Sequence, residues 1–481
     1  MMKKLKYILP LLAVIGITAC QKDLLSALPT TDIPDTKAFD TPDRIASQAA
    51  GLYSVLKHGK FMGGKVLIAN EVRGEDYTNE RSNNVTLFAT WKMVATGESQ
   101  EVKEIWSQGY KTINSVNVFL AGMNAKGTSV AGKEASDSYI GEAKFIRGLS
   151  YFQLLQLYAR PYINGAGNQP GLILYWEPHT VAGVYTRARS TVAESYSQII
   201  RDLDSSETLL PKEAATATRA NAFSAIALKT RVYLYMGMWD KVITEANKLV
   251  PATAPFESDA GYQLESNLRT VFSGKYTGEE AIFTLPNSEA TNDFPGTQTQ
   301  MAYYFNPAPL GGNREYNLRP EGIIGDAFWK ATDTRRKLIT TASGKNYMNK
   351  YISPDPYTDY IQVIRYAEIL LNLAEARVRS TNALDPQAIA LLNAVHGRSD
   401  ATTIFTAASF DSPQDLINTI LKEKHIELLG EGFRAMELTR LGLTIPTKSS
   451  IIPPTTPTTN NYVWPISSDE LVYNKGCKDN Y

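Results

Sequence analysis

Cysteine is nearly absent from this 481-residue chain, where only Cys20 and Cys477 occur. A disulfide framework needs several pairs and a cysteine zinc site needs several thiolates, so both are excluded. Histidine is scarce too. His58, His179, His396 and His425 are the only four, and none has H-E-x-x-H or comparable ligand spacing, which argues against a metal hydrolase. Neither sign of charge is in excess: 49 Lys and Arg face 49 Asp and Glu, so net charge draws neither nucleic acid nor an anionic bilayer. No G-x-S-x-G elbow, Walker loop or dinucleotide fingerprint occurs, and Gly165-Ala166-Gly167-Asn168-Gln169-Pro170 reads as a turn. The N-terminal apolar run, Tyr7 to Ile17, is broken by Pro10 and falls well short of the roughly 20 residues of a membrane-spanning helix.

That short run has a meaning of its own. Lys3, Lys4 and Lys6 precede it and Ile17-Thr18-Ala19 leads from it into Cys20, the order of basic region, hydrophobic region and small-residue cleavage site that marks an export signal. With cysteine at the first mature position it resembles a bacterial lipoprotein signal. Residues 1–19 are then expected to be removed and Cys20 to carry lipid, tethering the protein to a membrane. The Pro- and Thr-containing stretch that follows, Leu28-Pro29-Thr30-Thr31-Asp32-Ile33-Pro34, buries little and reads as a flexible tether over residues 20–38. The remainder, with 43% apolar and 20% charged residues in the whole chain, is of folded type. It is read as a single domain over 39–481, with a first part at about 39–250, a loop-rich insertion at about 251–360 and a helical part at about 361–481.

Helical periodicity dominates, and no series of alternating strands stands out. Thr41-Pro42-Asp43 opens a first helix with a cap and a first-turn proline. Further helices are predicted at about Glu98–Met123, at Tyr139–Tyr158, and after the capping box Thr191-Val192-Ala193-Glu194. Ala222–Met236 and Trp239–Leu249, joined at Gly237, resemble part of a tetratricopeptide repeat, in which small residues let paired helices approach. Arg365–Arg377 with Pro386–Val395 repeats the pattern, and the last helices fall between Pro413 and Leu441. Segments 61–97, 165–189, 251–360 and 443–481 are too long for simple connections. They are rich in aromatics, and tyrosine, at 26 residues against 16 phenylalanines, suits a surface that must both pack and bind. The predicted fold is therefore an all-α scaffold carrying elaborate, ordered loops.

Charged residues beside the apolar stripes, Glu142 and Arg147, Arg365 and Glu368, Glu431 and Arg434, invite a catalytic reading. Ion pairing between helices is the commoner use of such residues. Two acids flanking a glycosidic bond stay open from sequence, since 49 acids make such a pair uninformative. The same helices carry a family resemblance. Gly141-Glu142-Ala143-Lys144-Phe145-Ile146-Arg147-Gly148-Leu149-Ser150-Tyr151-Phe152 resembles a helix of the SusD/RagB family of outer-membrane nutrient-binding lipoproteins. Tyr196 to Leu203, Arg365 to Ala376, Glu427 to Arg434, and Trp464-Pro465-Ile466 with Glu470 and Asn474 follow in the family's order. Glu423-Lys424 stands where the family often has Glu-Arg, Leu441 replaces a frequent tryptophan, and Cys477 lies in a usually Asn- and Pro-rich tail.

The resemblance implies a scaffold of about four tetratricopeptide-like helix pairs, a ligand-binding face built from the insertions, and no catalysis or cofactor. It also implies a partner, a SusC-like TonB-dependent outer-membrane barrel over which the lipoprotein acts as a lid. The expected cargo is oligosaccharide. Oligopeptide, a scaffold that binds only proteins, and an exported glycosidase are the alternatives. A sugar ring has an apolar C–H face and a hydroxyl rim, so its site needs aromatic plates beside amide, carboxylate and guanidinium groups. Two segments have this mixture: one with Arg73, Asp76, Tyr77, Arg81, Asn83 and Trp91, the other with Tyr303, Tyr304, Asn306, Arg314 and Tyr316. The family motif does not supply these positions; composition and location on predicted loops do.

Overall fold

The structure, a computed structural model, describes residues 37–480 apart from 182, 184, 214, 215, 274–276 and 297. The signal, Cys20 and most of the expected tether lie outside the described residues. Helix α1 (Pro42–Leu56) begins as the sequence suggests: Thr41 Oγ1 accepts from Arg44 N at 3.3 Å and Pro42 occupies the first turn. A short buried helix α2 (Lys65–Val72), strand β1 (Tyr77–Asn79) and a single turn α3 (Phe88–Trp91) follow. Then come α4 (Gln100–Gly122), α5 (Thr128–Ala131), α6 (Lys133–Tyr158) and α7 (Val192–Leu209). The capping box of α7 is complete, with Glu194 N on Thr191 Oγ1 at 3.1 Å and Thr191 N on Glu194 Oε2 at 2.7 Å.

Helices α8 (Ala222–Tyr235) and α9 (Trp239–Ala246) turn at Gly237, whose φ of 69° is left-handed and suits glycine. The insertion holds α10 (Leu268–Val271), β2 (Ala281–Leu285), α11 (Met301–Phe305), β3 (Tyr316–Leu318), β4 (Ile339–Ala342) and β5 (Lys345–Met348). Strand β6 (Ile361–Arg365) runs straight into α12 (Tyr366–Thr381), and α13 (Pro386–Ser399), α14 (Pro413–Glu427), α15 (Arg434–Arg440) and α16 (Ser468–Tyr473) complete the chain. The long helices pack in a relay: α4 on α6, α6 on α7, α7 on α8, α8 on α9, α9 on α12, and α12 on both α13 and α14. This is the helical, tetratricopeptide-like architecture expected from the sequence.

Two findings go beyond the sequence reading. Residues 65–72, placed in a loop region, form α2, every residue of which is buried. Six short strands pair into a four-stranded sheet, ordered β1-β3-β5-β4, and a two-stranded sheet, β2-β6. Strands β2 and β6 are buried on both faces, so they lack the polar alternation by which a strand is read.

The insertion is joined to the helices by buried ion pairs. Arg365, at the end of β6, reaches Glu427 of α14 at 2.6 Å and Glu431 at 2.8 Å, and Arg335 reaches Glu427 at 3.0 Å and Asp333 at 2.7 Å. Lys350 adds a bond to Glu431 at 2.6 Å.

Candidate functional site

The pairing of β1 with β3 brings the two sequence-predicted segments together: Tyr77 lies opposite Leu318, and Asn79 opposite Tyr316. Most of the predicted plates, however, turn inward. Tyr77, Tyr304 and Tyr316 are fully buried, Tyr77 lies 4.9 Å from Phe305, and Tyr304 stacks parallel to Tyr316 at 6.1 Å. The hydroxyls of the latter two serve the fold, Tyr304 donating to Gln298 O at 3.0 Å and Tyr316 to Thr86 O at 2.7 Å. Trp91 is also buried and donates Nε1–H to Tyr77 O at 2.8 Å. Arg73 donates to Tyr462 O at 2.6 Å and Asn306 to Tyr351 O at 2.8 Å, both in the interior. The physical reason is common to all of them. A thin sheet on a helical scaffold has one inner face to fill, and large rings bury the most apolar area per residue. Removing the Trp91 or Tyr304 ring therefore tests packing rather than recognition.

What reaches the surface is a shelf around Tyr303. Its half-buried ring meets Tyr304 edge-on at 5.9 Å and Tyr357 at 5.8 Å. Tyr357 is pinned by its hydroxyl to Gly311 O at 2.7 Å, so the ring against Tyr303 is fixed. Arg81 is exposed and donates from Nε to Asn313 O at 3.1 Å, which carries one predicted segment onto the other. Asn79 Oδ1 accepts from Arg81 N at 3.1 Å and Ser82 N at 2.7 Å, and Asn83 Oδ1 accepts from Val85 N at 3.0 Å, so asparagines shape this turn. Arg314, at a left-handed φ of 54°, donates its backbone N–H to Asn306 O at 3.1 Å. Its guanidinium makes no bond among the described residues. Of the predicted residues, Arg81, Asn83, Tyr303 and Arg314 thus share an accessible surface, Leu310 and Asn84 join them there without having been singled out, and the buried Tyr357 backs the Tyr303 ring from beneath. Tyr357 belongs to the aromatic run of the insertion, which was its only signal.

Asp76 lies apart and buried, behind His425, which lines a cleft of about 310 Å³ between α14, α15 and the 321–326 turn. Its Oδ2 pairs with His425 Nε2 at 2.6 Å and its Oδ1 accepts from Ile323 N at 2.8 Å. Burial alone would raise this carboxyl, but His425 and Arg434 bring it down to about 2. Beside it, burial pushes the Glu71 carboxyl up to about 7, against N–H donation from Phe433 and Gly432. Glu75, Asp76 and His425 offer ligand atoms within 4.8 Å of one another. Both Glu75 oxygens accept from Arg434 Nε at 2.9 Å, and a guanidinium already seated on the carboxylate suits an ion-pair cluster better than a metal.

The charges beside the helix stripes are structural as well, with partners on other elements. Arg147 forms a two-pronged pair with Asp202 at 2.6 and 2.8 Å, Arg231 pairs with Glu368 at 2.6 Å, and Glu142 pairs with Arg219. Arg434 pairs with Glu75. Among the described residues no helix is long and apolar enough to cross a membrane.

Fold and surface define the class first: a tetratricopeptide-like helical scaffold that carries long loops and short strands as insertions. Residues 23–234 match a family model described as SusD-like, starch-binding associating with outer membrane, and residues 321–481 match the SusD family model, so the chain belongs to the SusD family. A SusD superfamily protein from Bacteroides fragilis is 30% identical with a TM-score of 0.82, covering 92% of this chain and 99% of that one. SusD-like protein P2 of Formosa agariphila is 23% identical over 99% of this chain and 98% of its own length. A laminarin-binding SusD-like protein shares the fold, with a TM-score of 0.71 and 21% identity over 91% of this chain and 98% of that one.

Proposed function

We propose that this protein is a lipid-anchored binding protein of the outer cell surface that captures oligosaccharide and hands it, without chemical change, to a SusC-like TonB-dependent barrel. One observation carries the reading: a chain whose residues 23–234 match a family model described as starch-binding and associating with outer membrane presents, around Tyr303, the chemistry that sugars require. The half-buried ring offers a plate for the C–H face of a sugar. The guanidinium of Arg314, without a partner among the described residues, and the Asn83 and Asn84 amides offer donors to hydroxyls. Buried carboxylates such as Glu427 and Glu431, both paired with Arg365, are poorly placed to reach substrate, which supports binding over hydrolysis. Anchoring would come from Cys20 and the barrel contact from the surface of the folded domain.

Titration calorimetry of the mature protein against oligosaccharides and oligopeptides tests this. Oligosaccharide binding is expected, and Tyr303→Ala with Arg314→Ala is expected to weaken it about tenfold or more, with unfolding midpoints little changed because both side chains reach solvent. Binding of peptides alone would replace sugar by peptide as the cargo.

A further inference from the structure

A second concavity lies outside the shelf. It is a cleft of about 280 Å³ walled by Tyr110, Ile113 and Asn114 of α4, by Tyr175, His179 and Tyr185 of the following loop, and by Glu470, Tyr473 and Asn474 at the C-terminal end. None of these elements carries a shelf residue. Pockets that take drug-sized ligands run from about 300 to 1,000 Å³, so this one suits one or two sugar rings.

Its lining is aromatic and fixed in place. His179 stacks on Tyr185 with centroids 3.9 Å apart and planes 6° from parallel. Tyr175 meets His179 edge-on at 4.6 Å, and Tyr110 meets Tyr175 at 6.0 Å. Asparagine side chains clamp the loop that carries these rings. Asn114 bonds both the N–H and the C=O of His179, at 2.8 and 2.9 Å. Asn117, one turn on, donates to Tyr175 O at 3.0 Å, and Asn474 bonds both backbone groups of Arg187, at 2.9 and 2.8 Å. A site held this way loses little freedom when a ligand enters.

Packing does not account for the rim. Of the lining rings, Tyr185 is 36% and Tyr473 75% exposed, and large exposed rings at a cleft mark a binding surface. The polar groups point to the class of ligand. Glu470 is occupied by Trp106 Nε1 at 3.1 Å and Asn474 Nδ2 at 2.7 Å. Arg187, the nearby cation, donates to Leu174 O at 2.6 Å, pairs with Glu177 at 3.4 Å, and lies over the Tyr175 and Trp176 rings at 5.1 and 5.0 Å. Among the described residues that line the cleft there is no lysine or arginine to hold an acidic or sulfated sugar. Burial lowers the pKa of the His179 imidazole and so favours its neutral form.

We propose that this cleft is a second sugar-binding site, taking an uncharged ring of a longer glycan against Tyr185, His179 and Tyr473. The inference rests on the carbohydrate reading above. Two sites on one rigid body raise affinity for a chain that spans both, by avidity.

The test compares the full mature protein with a Tyr185→Ala/Tyr473→Ala variant and the Tyr303→Ala/Arg314→Ala shelf variant, in gels containing starch, laminarin, xylan or mannan. Both cleft side chains are exposed, so folding is expected to survive, and circular dichroism checks this. The polysaccharide that retards wild type is expected to retard the cleft variant about tenfold less, while a short oligosaccharide of the same linkage still binds it with wild-type affinity. Equal retardation of wild type and cleft variant, with loss confined to the shelf variant, would overturn the cleft site alone. Unchanged glycan binding with lost barrel co-purification would overturn it in favour of a protein contact. A wild type that no polysaccharide retards would overturn both this inference and the carbohydrate reading.

Discussion

Glu71 sits in α2 with one carboxylate oxygen accepting from the backbones of Gly432 and Phe433 and the other without a partner. Burial holds its proton on to about pH 7, whereas an exposed glutamate releases it near 4.5. Because the folded state binds the extra proton between those values, this group favours folding most at and below pH 4.5. That contribution is lost as pH rises through 7 and amounts to a few kcal/mol, taken at about 1.4 kcal/mol per unit. Glu71→Gln, which keeps the accepting oxygen, is expected to flatten this fall and to be more stable than wild type at pH 8, as urea titrations at pH 5, 6, 7 and 8 would show. Parallel pH dependences for the two proteins would refute it. Composition located the shelf at this scale but could not orient its rings: Tyr303 and Tyr304 are neighbours in sequence, and only the register of α11 against β3 decides that one faces solvent and the other the core. The cleft at Tyr185 and Tyr473 was hidden for a different reason. Its rings lie almost 290 residues apart in sequence, and nothing local to either says that they meet.

Helices were legible because caps and periodicity act within a few residues: Thr41, the Thr191–Glu194 box and Gly237 all sit where the structure begins or turns an element. Helix α2 and the six strands were not, since their burial comes from what packs on them rather than from their own pattern. The joint between α14 and α15 shows how such tertiary demands act. Gly430 and Gly432 there have φ of 83° and 87°, and a Cβ on Gly432 would lie 2.8 Å from Leu67 Cα, the backbone of α2. Gly432→Ala therefore faces both a left-handed conformation and a clash with backbone. It is expected to cost about 2 kcal/mol or more, read as a lowered urea midpoint. Gly51→Ala in α1, where nothing lies within 4 Å of the added atom, is the matching control and is expected to be neutral or slightly stabilising.

Across the whole molecule, the insertion and the helical scaffold are tied by charges that neither could leave alone. Arg365 belongs to a strand paired with β2, yet its partners Glu427 and Glu431 come from α14 and the turn after it, and Arg398 of α13 bonds Glu280 at 2.6 Å. Separating the two halves would strand several of these ions out of water, each costing several kcal/mol. The described chain is therefore expected to unfold in one transition, with tryptophan fluorescence and helical circular dichroism changing together. Arg365→Met leaves Glu280, Glu427 and Glu431 short of a cation and should lower stability by about 3–5 kcal/mol. Loss of the clamp would also let the insertion, which carries Tyr303 and Arg314, open before the helices, so the two probes would separate in the variant. Coincident probes in Arg365→Met, or two transitions in wild type, would show that the network does not couple the binding face to its scaffold.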